Sequence, residues 1–274
     1  MLSVSLYVPG MPHPTITLLT DYGTRDGYVA SLKGVILSLA PTVRIVDAAH
    51  DIPAHDVAAG AWALGQYWRY FSPETLHVAV VDPGVGTDRA LLLAEADHHL
   101  FLAPDNGLLT WVMRQAKKMT VSQLKPEVRR PDLSATFHGR DILAHAAGLL
   151  ASGQAKPSDL AVPCRELVLP NWAVVERTEQ ELKGRIVYVD RFGNLVTNIS
   201  RHQVREMVGL SFSVSAGRYE NIPVCRTYAE IPAGELAALF GSSDTLELAV
   251  PNASAAELTG LARGEAVSLR PARG

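Results

Sequence analysis

An α/β domain, a mixed or parallel sheet flanked by helices, followed by a smaller all-β barrel is the architecture this sequence predicts. Three observations carry it. From Thr15 to about Arg165, short apolar runs alternate with helix-period patterns, as βα units do. From Gly184 onward the chain offers only short strand-like runs broken by turns. Between them Leu167–Lys183 (LVLPNWAVVERTEQELK) keeps no period and reads as a linker. The expected boundaries are an N-terminal extension over 1–14, an α/β domain over 15–166, a linker over 167–183 and a β-barrel over 184–274.

Each element has its own signal. Met1–Gly10 (MLSVSLYVPG) lacks a basic start and is too short in apolar residues for a secretory signal. Thr15–Thr20 (TITLLT) is a buried-strand run that breaks at Asp21-Tyr22-Gly23, with Thr24 placed to cap the next helix. On that helix Tyr28, Leu32, Val35, Ile36 and Leu39 share one face until Pro41 ends it. Val43–Asp47 is the second strand, Val57–Tyr70 the second helix, and Leu76–Val81 a third strand running into Asp82-Pro83-Gly84. Ala90–Ala94 and Leu100–Ala103 form a strand pair before a Pro-Asp-Asn-Gly turn, and Ile142–Ala151 is the last helix. In the second half the runs GRIVYVD, LVTNI, SFSVS, TLELAV and AVSLR read as barrel strands.

Composition excludes several classes of function. A net charge of −3, with no long Lys/Arg cluster, supplies no field for nucleic acid. No run of about 18 apolar residues is present to span a membrane. Two cysteines, Cys164 and Cys225, are too few for a disulfide framework or a structural zinc site, so a reduced, cytoplasmic setting is expected.

Four polar clusters hold the candidate chemistry: TDYGTRDGYV at 20–29, VDPGVGTDR at 81–89, TFHGRD at 136–141 and VDRFGNLVTNI at 189–199. Each sets a carboxylate, imidazole or amide beside a glycine, where backbone can approach a ligand. Ligands of open α/β sheets bind beyond the carboxyl ends of strands, and Asp21 and Asp82 both stand there. Taken singly, each aspartate is as well explained by a turn. Gly84 and Gly86 lack the third glycine and the helix of a dinucleotide fingerprint. Arg140 and Asp141 can pair locally at a helix start. Asp141 and His145, four apart on a helix, leave open a metal reading completed by His138 or Asp82.

In combination these clusters resemble the S-adenosylmethionine-dependent halogenase and hydroxide adenosyltransferase family, in the right order from about Thr15 to Leu269. The resemblance implies a two-domain chain in a homotrimer, with S-adenosylmethionine bound between one subunit's N-terminal domain and its neighbour's C-terminal domain. The hydrolytic branch carries an Asp in the loop that reads VDPGVG, an Arg seven residues on and a His in TFHGRD: here Asp82, Arg89 and His138. Halogenating relatives have Tyr at the first and third of these positions, and the fluorinating ones Ser where Gly139 stands. The branch implies hydrolysis to adenosine and methionine, with S-adenosylmethionine as substrate and neither cofactor nor metal.

The same resemblance assigns substrate contacts. Asp21 matches the aspartate that holds the ribose hydroxyls, and Phe137 an aromatic wall for adenosine. His55 stands where fluorinating relatives have Trp. Asp190 suits the methionine ammonium, and Asn194 the purine edge with Phe192 stacking beside it, in a loop one residue shorter than theirs. Ser242 is expected at the methionine end, and Glu247, Val250 and Asn252 near the adenine.

Elementary chemistry fits that implication. A sulfonium is a cationic electrophile with a neutral leaving group, so attack at C5′ calls for an aligned, dehydrated nucleophile rather than an acid on the leaving group. A carboxylate accepts hydrogen bonds from water and repels halide. An arginine stabilises hydroxide character as it develops.

Overall fold

The computed structural model describes residues 14–130, 134–164, 166–208 and 212–271. All of the expected N-terminal extension except its last residue lies outside them, as does Ser211 at the start of one expected strand. The chain divides into two compact units, 1–167 and 168–274.

The first unit runs β1 (Thr15–Thr20), α1 (Tyr28–Leu39), β2 (Arg44–Ala49), α2 (Val57–Tyr67), β3 (Leu76–Val80), β4 (Leu91–Ala96), β5 (His99–Pro104), α3 (Thr110–Gln115), β6 (Met119–Leu124), a π-helical turn (Gly139–Ala144) leading into α4 (His145–Ala151), α5 (Pro157–Leu160) and β7 (Ala161–Pro163). Among the described residues the sheet order is β2-β1-β3-β5-β4-β6-β7. The strands β2, β1, β3 and β5 are parallel, and β5-β4-β6-β7 antiparallel, so the sheet is mixed. Period-two alternation on β1 separates the two layers of helix. Ile16 and Leu18 enter a core shared with Leu32 and Ile36 of α1 and Ala146 and Ala147 of α4. Thr17, on the opposite face, meets Tyr67 of α2 at 3.3 Å. On that side Trp62 of α2 packs edge-on against Trp111 of α3 at 5.2 Å between centroids. The site loops leave this sheet where β1 and β3 end.

Local detail departs from expectation at several points. Thr24 does not cap α1: the helix starts at Tyr28 behind Gly27, without a side-chain cap. Tyr28 is 50% exposed, and the buried face is Val29, Leu32, Val35 and Ile36. The last helix starts earlier than Ile142, because the π turn from Gly139 feeds it. The strand β6 and the helix α3 carry weak period signals in the sequence and are held by packing against β4 and α2.

The second unit contains β8 (Glu176–Arg177), β9 (Leu182–Val189), β10 (Leu195–Ser200), α6 (Arg201–Val208), β11 (Phe212–Ala216), β12 (Tyr219–Ile222), β13 (Ala237–Phe240), β14 (Thr245–Ala249), α7 (Ala255–Thr259) and β15 (Ala266–Pro271). Their order is β12-β11-β15-β9-β10-β14-β13, with β8 on β9, and every pairing is antiparallel. The two ends of this row meet. Just after β12, Val224 bridges to Ala238 of β13, and Phe212 of β11 lies 6.4 Å from Phe240 of β13 between ring centroids. The sheet is therefore nearly closed, around a core lined by Ile186, Leu195, Val214, Leu246 and Val267 among others, as expected of a barrel. Part of the segment expected to be a linker is seated on this unit. Buried Asn198 donates to the carbonyls of Trp172 and Val174, each at 2.9 Å, and its Oδ1 accepts from the Arg185 amide.

Candidate functional site

The loop after β1 is held from below by a chain of polar side chains. Asp47 accepts from His50 Nε2 at 3.0 Å, which leaves Nδ1 to accept from the Thr20 hydroxyl at 2.9 Å. Thr20 Oγ1 in turn accepts from the Tyr22 amide at 3.2 Å, and the Gly23 amide donates to the His50 carbonyl at 2.8 Å. Asp21 is thus presented on a fixed turn. Its Oδ2 accepts from the backbone amide of His55 at 2.8 Å. His55 sits at φ 66°, in the left-handed region, and it is its backbone amide that bonds to Asp21.

The loop after β3 brings Asp82 against Arg89. Arg89 Nε donates to Asp82 Oδ1 at 2.6 Å and Nη2 to Oδ2, a two-pronged pair whose side chains are only 9% and 6% exposed. Both Arg89 terminal nitrogens also approach His138 Nδ1, at 3.3 and 3.2 Å. A guanidinium only donates, so Nδ1 accepts and the imidazole proton resides on Nε2. Burial, and then the Arg89 charge, hold the His138 pKa below its ordinary value, which keeps the ring neutral. The three residues singled out in the sequence for the nucleophile are therefore in mutual contact through Arg89.

A cleft of about 490 Å³ opens beside them, lined by Asp21, Tyr22, His55, Asp82, Phe137 and Gly139 among others. Phe137 forms an aromatic cluster with Tyr22 and Tyr28, at 5.7 and 5.5 Å between centroids. Sequence reasoning passed over both tyrosines. Tyr22 stands inside the motif that carries Asp21, and the helix period places Tyr28 on the buried face, where the structure leaves it half exposed. Burial, followed by the carboxylates of Asp21 and Asp82, keeps the Tyr22 phenol well above its usual pKa and therefore neutral.

Asp141 has a structural part. Its carboxylate takes two bonds from Arg140, at 2.7 and 2.8 Å, and one from the Ser134 amide at 2.8 Å. Those bonds tie the TFHGRD turn to its own helix. Among the described residues no group of three or more His, Cys, Asp and Glu is arranged to hold a metal ion.

In the second unit the expected residues are placed unevenly. Asp190 organises the turn after β9: its Oδ1 accepts from the Phe192 and Asn194 amides at 2.8 and 2.9 Å, and Oδ2 from Asn194 Nδ2 at 2.9 Å. Phe192 is 77% exposed, while Asn194 is buried. Glu247 is buried and bonded to the hydroxyl of Tyr228, a partner that no sequence spacing announced. Burial raises the Glu247 pKa above the usual carboxylate range, and the nearby Asp190 adds to the effect. Ser242 is exposed on the turn between β13 and β14, and Asn252 is exposed at φ 57°. Val250 belongs to the barrel core, and its carbonyl accepts from the Ala253 amide.

Comparison with known proteins bears on both units. The SAM hydroxide adenosyltransferase N-terminal domain matches residues 16–161, and the C-terminal domain of the same family matches 184–268. The chain belongs to the SAM hydroxide adenosyltransferase family. Among relatives of this adenosyltransferase-family chain, the (R)-S-adenosyl-L-methionine hydrolase of Thermus thermophilus is 37% identical, covering 93% of the chain and 98% of the relative. That of Salinispora tropica is 35% identical over 93% and 97%. A fluorinase of Nocardia brasiliensis is further off, at 29% over 82% and 85%. A solved structure of an uncharacterized conserved protein from Thermotoga maritima superposes with a TM-score of 0.78, at 27% identity, over 93% of this chain and 99% of that one.

Proposed function

We propose that this protein hydrolyses S-adenosylmethionine to adenosine and L-methionine, by attack of water at the ribose C5′. The observation that carries the reading is the Asp82–Arg89–His138 contact, set beside a cleft that also presents Asp21 and Phe137. Kinship with chains named (R)-S-adenosyl-L-methionine hydrolase supports it and points to the (R) sulfonium.

The roles follow from the bonding. Each Asp82 oxygen spends one lone pair on Arg89 and keeps another for water, so the carboxylate orients the nucleophile and receives its proton. Arg89 offsets the charge that builds on the attacking oxygen. Neutral His138 buttresses the guanidinium through Nδ1. The O–C5′ bond forms as C5′–S breaks, and the electron pair stays on the methionine sulfur, so the departing group needs no acid and the reaction no metal or cofactor. Asp21 takes the ribose hydroxyls, Phe137 faces the adenosine, and His55 borders the ribose. In the second unit, Asp190, Asn194 and Phe192 with Ser242, Glu247 and Asn252 form the surface for methionine and adenine.

The resemblance to trimeric relatives, taken with the division of these residues between two domains, 15–166 and 184–274 as we read them, supports a homotrimer whose sites are shared between subunits. Free Cys164 and Cys225 accord with a cytoplasmic setting; among the described residues no helix is long and apolar enough to cross a membrane. Incubation with S-adenosylmethionine in ¹⁸O-water, followed by chromatography and mass spectrometry, is the direct test. Adenosine labelled at its 5′-oxygen, together with methionine, is expected, and activity should survive exhaustive chelation. Unlabelled adenosine, or 5′-chloroadenosine formed as fast in chloride, would refute the assignment.

A further inference from the structure

Position 139 follows His138 directly, and a glycine there is conspicuous for what fills its missing side chain. A Cβ on Gly139 would lie 2.6 Å from the Tyr22 hydroxyl oxygen and 3.1 Å from Val80 Cγ1. The phenol tip therefore rests on the Gly139 backbone, in the space a side chain would take. A serine there, as fluorinating relatives carry, would collide with it.

The phenol is held firmly. Phe137 and Tyr28 pack against its ring, each at 5.7 Å between centroids. Its backbone is pinned by Thr20 and by the His50 carbonyl at the next residue. It lines the same cleft as Asp82, and the Asp21, Asp82 and Arg89 charges all act on it. Among the described residues no hydrogen bond to this hydroxyl is present, and the side chain borders the open cleft, where a water can reach it.

We propose that the Tyr22 hydroxyl is a second acceptor for the attacking water beside Asp82, which makes Tyr22 a catalytic residue. The inference rests on the hydrolytic reading above. One water hydrogen bonds to Asp82 and the other to Tyr22 Oη, which leaves an oxygen lone pair for C5′. As the O–C5′ bond forms and the C5′–S pair departs on methionine, the Asp82-bound proton is lost to the carboxylate and then to solvent. The hydrogen that faced Tyr22 remains as the adenosine 5′-hydroxyl. A two-point grip fixes the water's orientation, which a carboxylate alone does not.

The experiment is a double-mutant cycle on Tyr22→Phe and Gly139→Ala, with adenosine formation as the rate and calorimetric adenosine affinity as the control. Phe keeps every ring contact and removes only the hydroxyl. Tyr22→Phe should lower kcat by about 10- to 100-fold, the size of one hydrogen bond to a charge-developing group. KM and adenosine affinity should stay within about twofold, a change too small to signal a lost contact. Gly139→Ala should also be slow, because its methyl displaces the hydroxyl. The double variant should be no slower than Tyr22→Phe, since the hydroxyl is already absent and only the Val80 methyl, at 3.1 Å, has to give by a few tenths of an ångström. Wild-type kcat in Tyr22→Phe, equal loss of kcat and adenosine affinity, or additive losses in the double variant would each overturn the proposal while leaving hydrolysis intact. A wild-type protein that makes no adenosine would instead remove the hydrolytic reading and this inference with it.

Discussion

Arg89→Met offers a way to separate the two things that the Arg89–Asp82 pair does. The pair is two-pronged and nearly dry, with side chains 9% and 6% exposed. Removing the guanidinium leaves a buried carboxylate without its counter-ion, which costs about 3–5 kcal/mol, whereas removing both charges costs little. In a unit of this size that loss lowers the thermal transition by roughly 6–20 °C. Adding Asp82→Asn removes the stranded charge, so the double variant should recover most of the transition temperature. It should not recover activity. Loss of one electrostatic donor to the nucleophile costs about 10²–10³ in rate, and the second substitution also removes the water's acceptor. Calorimetry gives the first quantity and chromatographic assay of adenosine the second. A single variant melting within about 2 °C of wild type, less than the shift expected from 1 kcal/mol, would show that the pair is not electrostatically buried. A double variant with restored turnover would show that neither residue handles the nucleophile.

Other expectations follow from the same geometry. Asp21→Ala should raise the dissociation constant for adenosine with a smaller effect on kcat, measured by calorimetry and steady-state kinetics; the reverse split would remove it from ribose recognition. Activity that needs neutral His138 should be flat down to about pH 6.5 and fall only at more acid pH, because the folded pKa lies below that ordinary value. In Arg89→Met that acid limb should move towards neutrality. His77 is fully buried with its pKa pushed down to about 3, by burial and then by His99. Its neutral form therefore contributes stability that is complete above about 6.5 and lost as pH falls towards the folded value, roughly 2 kcal/mol between pH 7 and 5. Urea titrations at the two pH values, repeated on His77→Gln, check the sign and the source. Mixed assemblies of inactive Arg89→Ala and Asn194→Ala chains should regain part of the wild-type rate if sites are shared; no recovery would place each site within one chain.

Strand and helix signals were strongest where burial is one-sided or complete. The run TITLLT and the apolar face of α1 announced themselves because each buries a continuous set of side chains. By contrast α3 and β6 are short and owe their form to neighbours far away in sequence. Asp82, Arg89 and His138 could be read as a set because the motif order implied it, yet the role of Arg89 as the hub between the other two is a tertiary fact. Asp190 and Asn194 were legible as residues but not as a turn whose carboxylate accepts three bonds from its own loop. The Glu247–Tyr228 bond joins positions 19 apart in sequence, with no local pattern to betray it. The part played by Gly139 depends on a phenol more than a hundred residues earlier.

The π turn at Gly139–Ala144 is, in effect, one surplus residue that the helix has absorbed. Downstream, α4 shares the core beneath the sheet through Ala146 and Ala147; upstream, Phe137 lines the cleft and His138 meets Arg89. Deleting a single residue within the turn would let it relax to an ordinary α-helix. The packed end cannot move, so the open end must rotate by about 100°, one residue's worth of helix, and carry His138 away from Arg89. Length at this point is therefore held more tightly than identity. Ile142 tolerates a different apolar side chain far better than the turn tolerates its loss, and the register of the cleft is written in a count of residues as much as in their kinds.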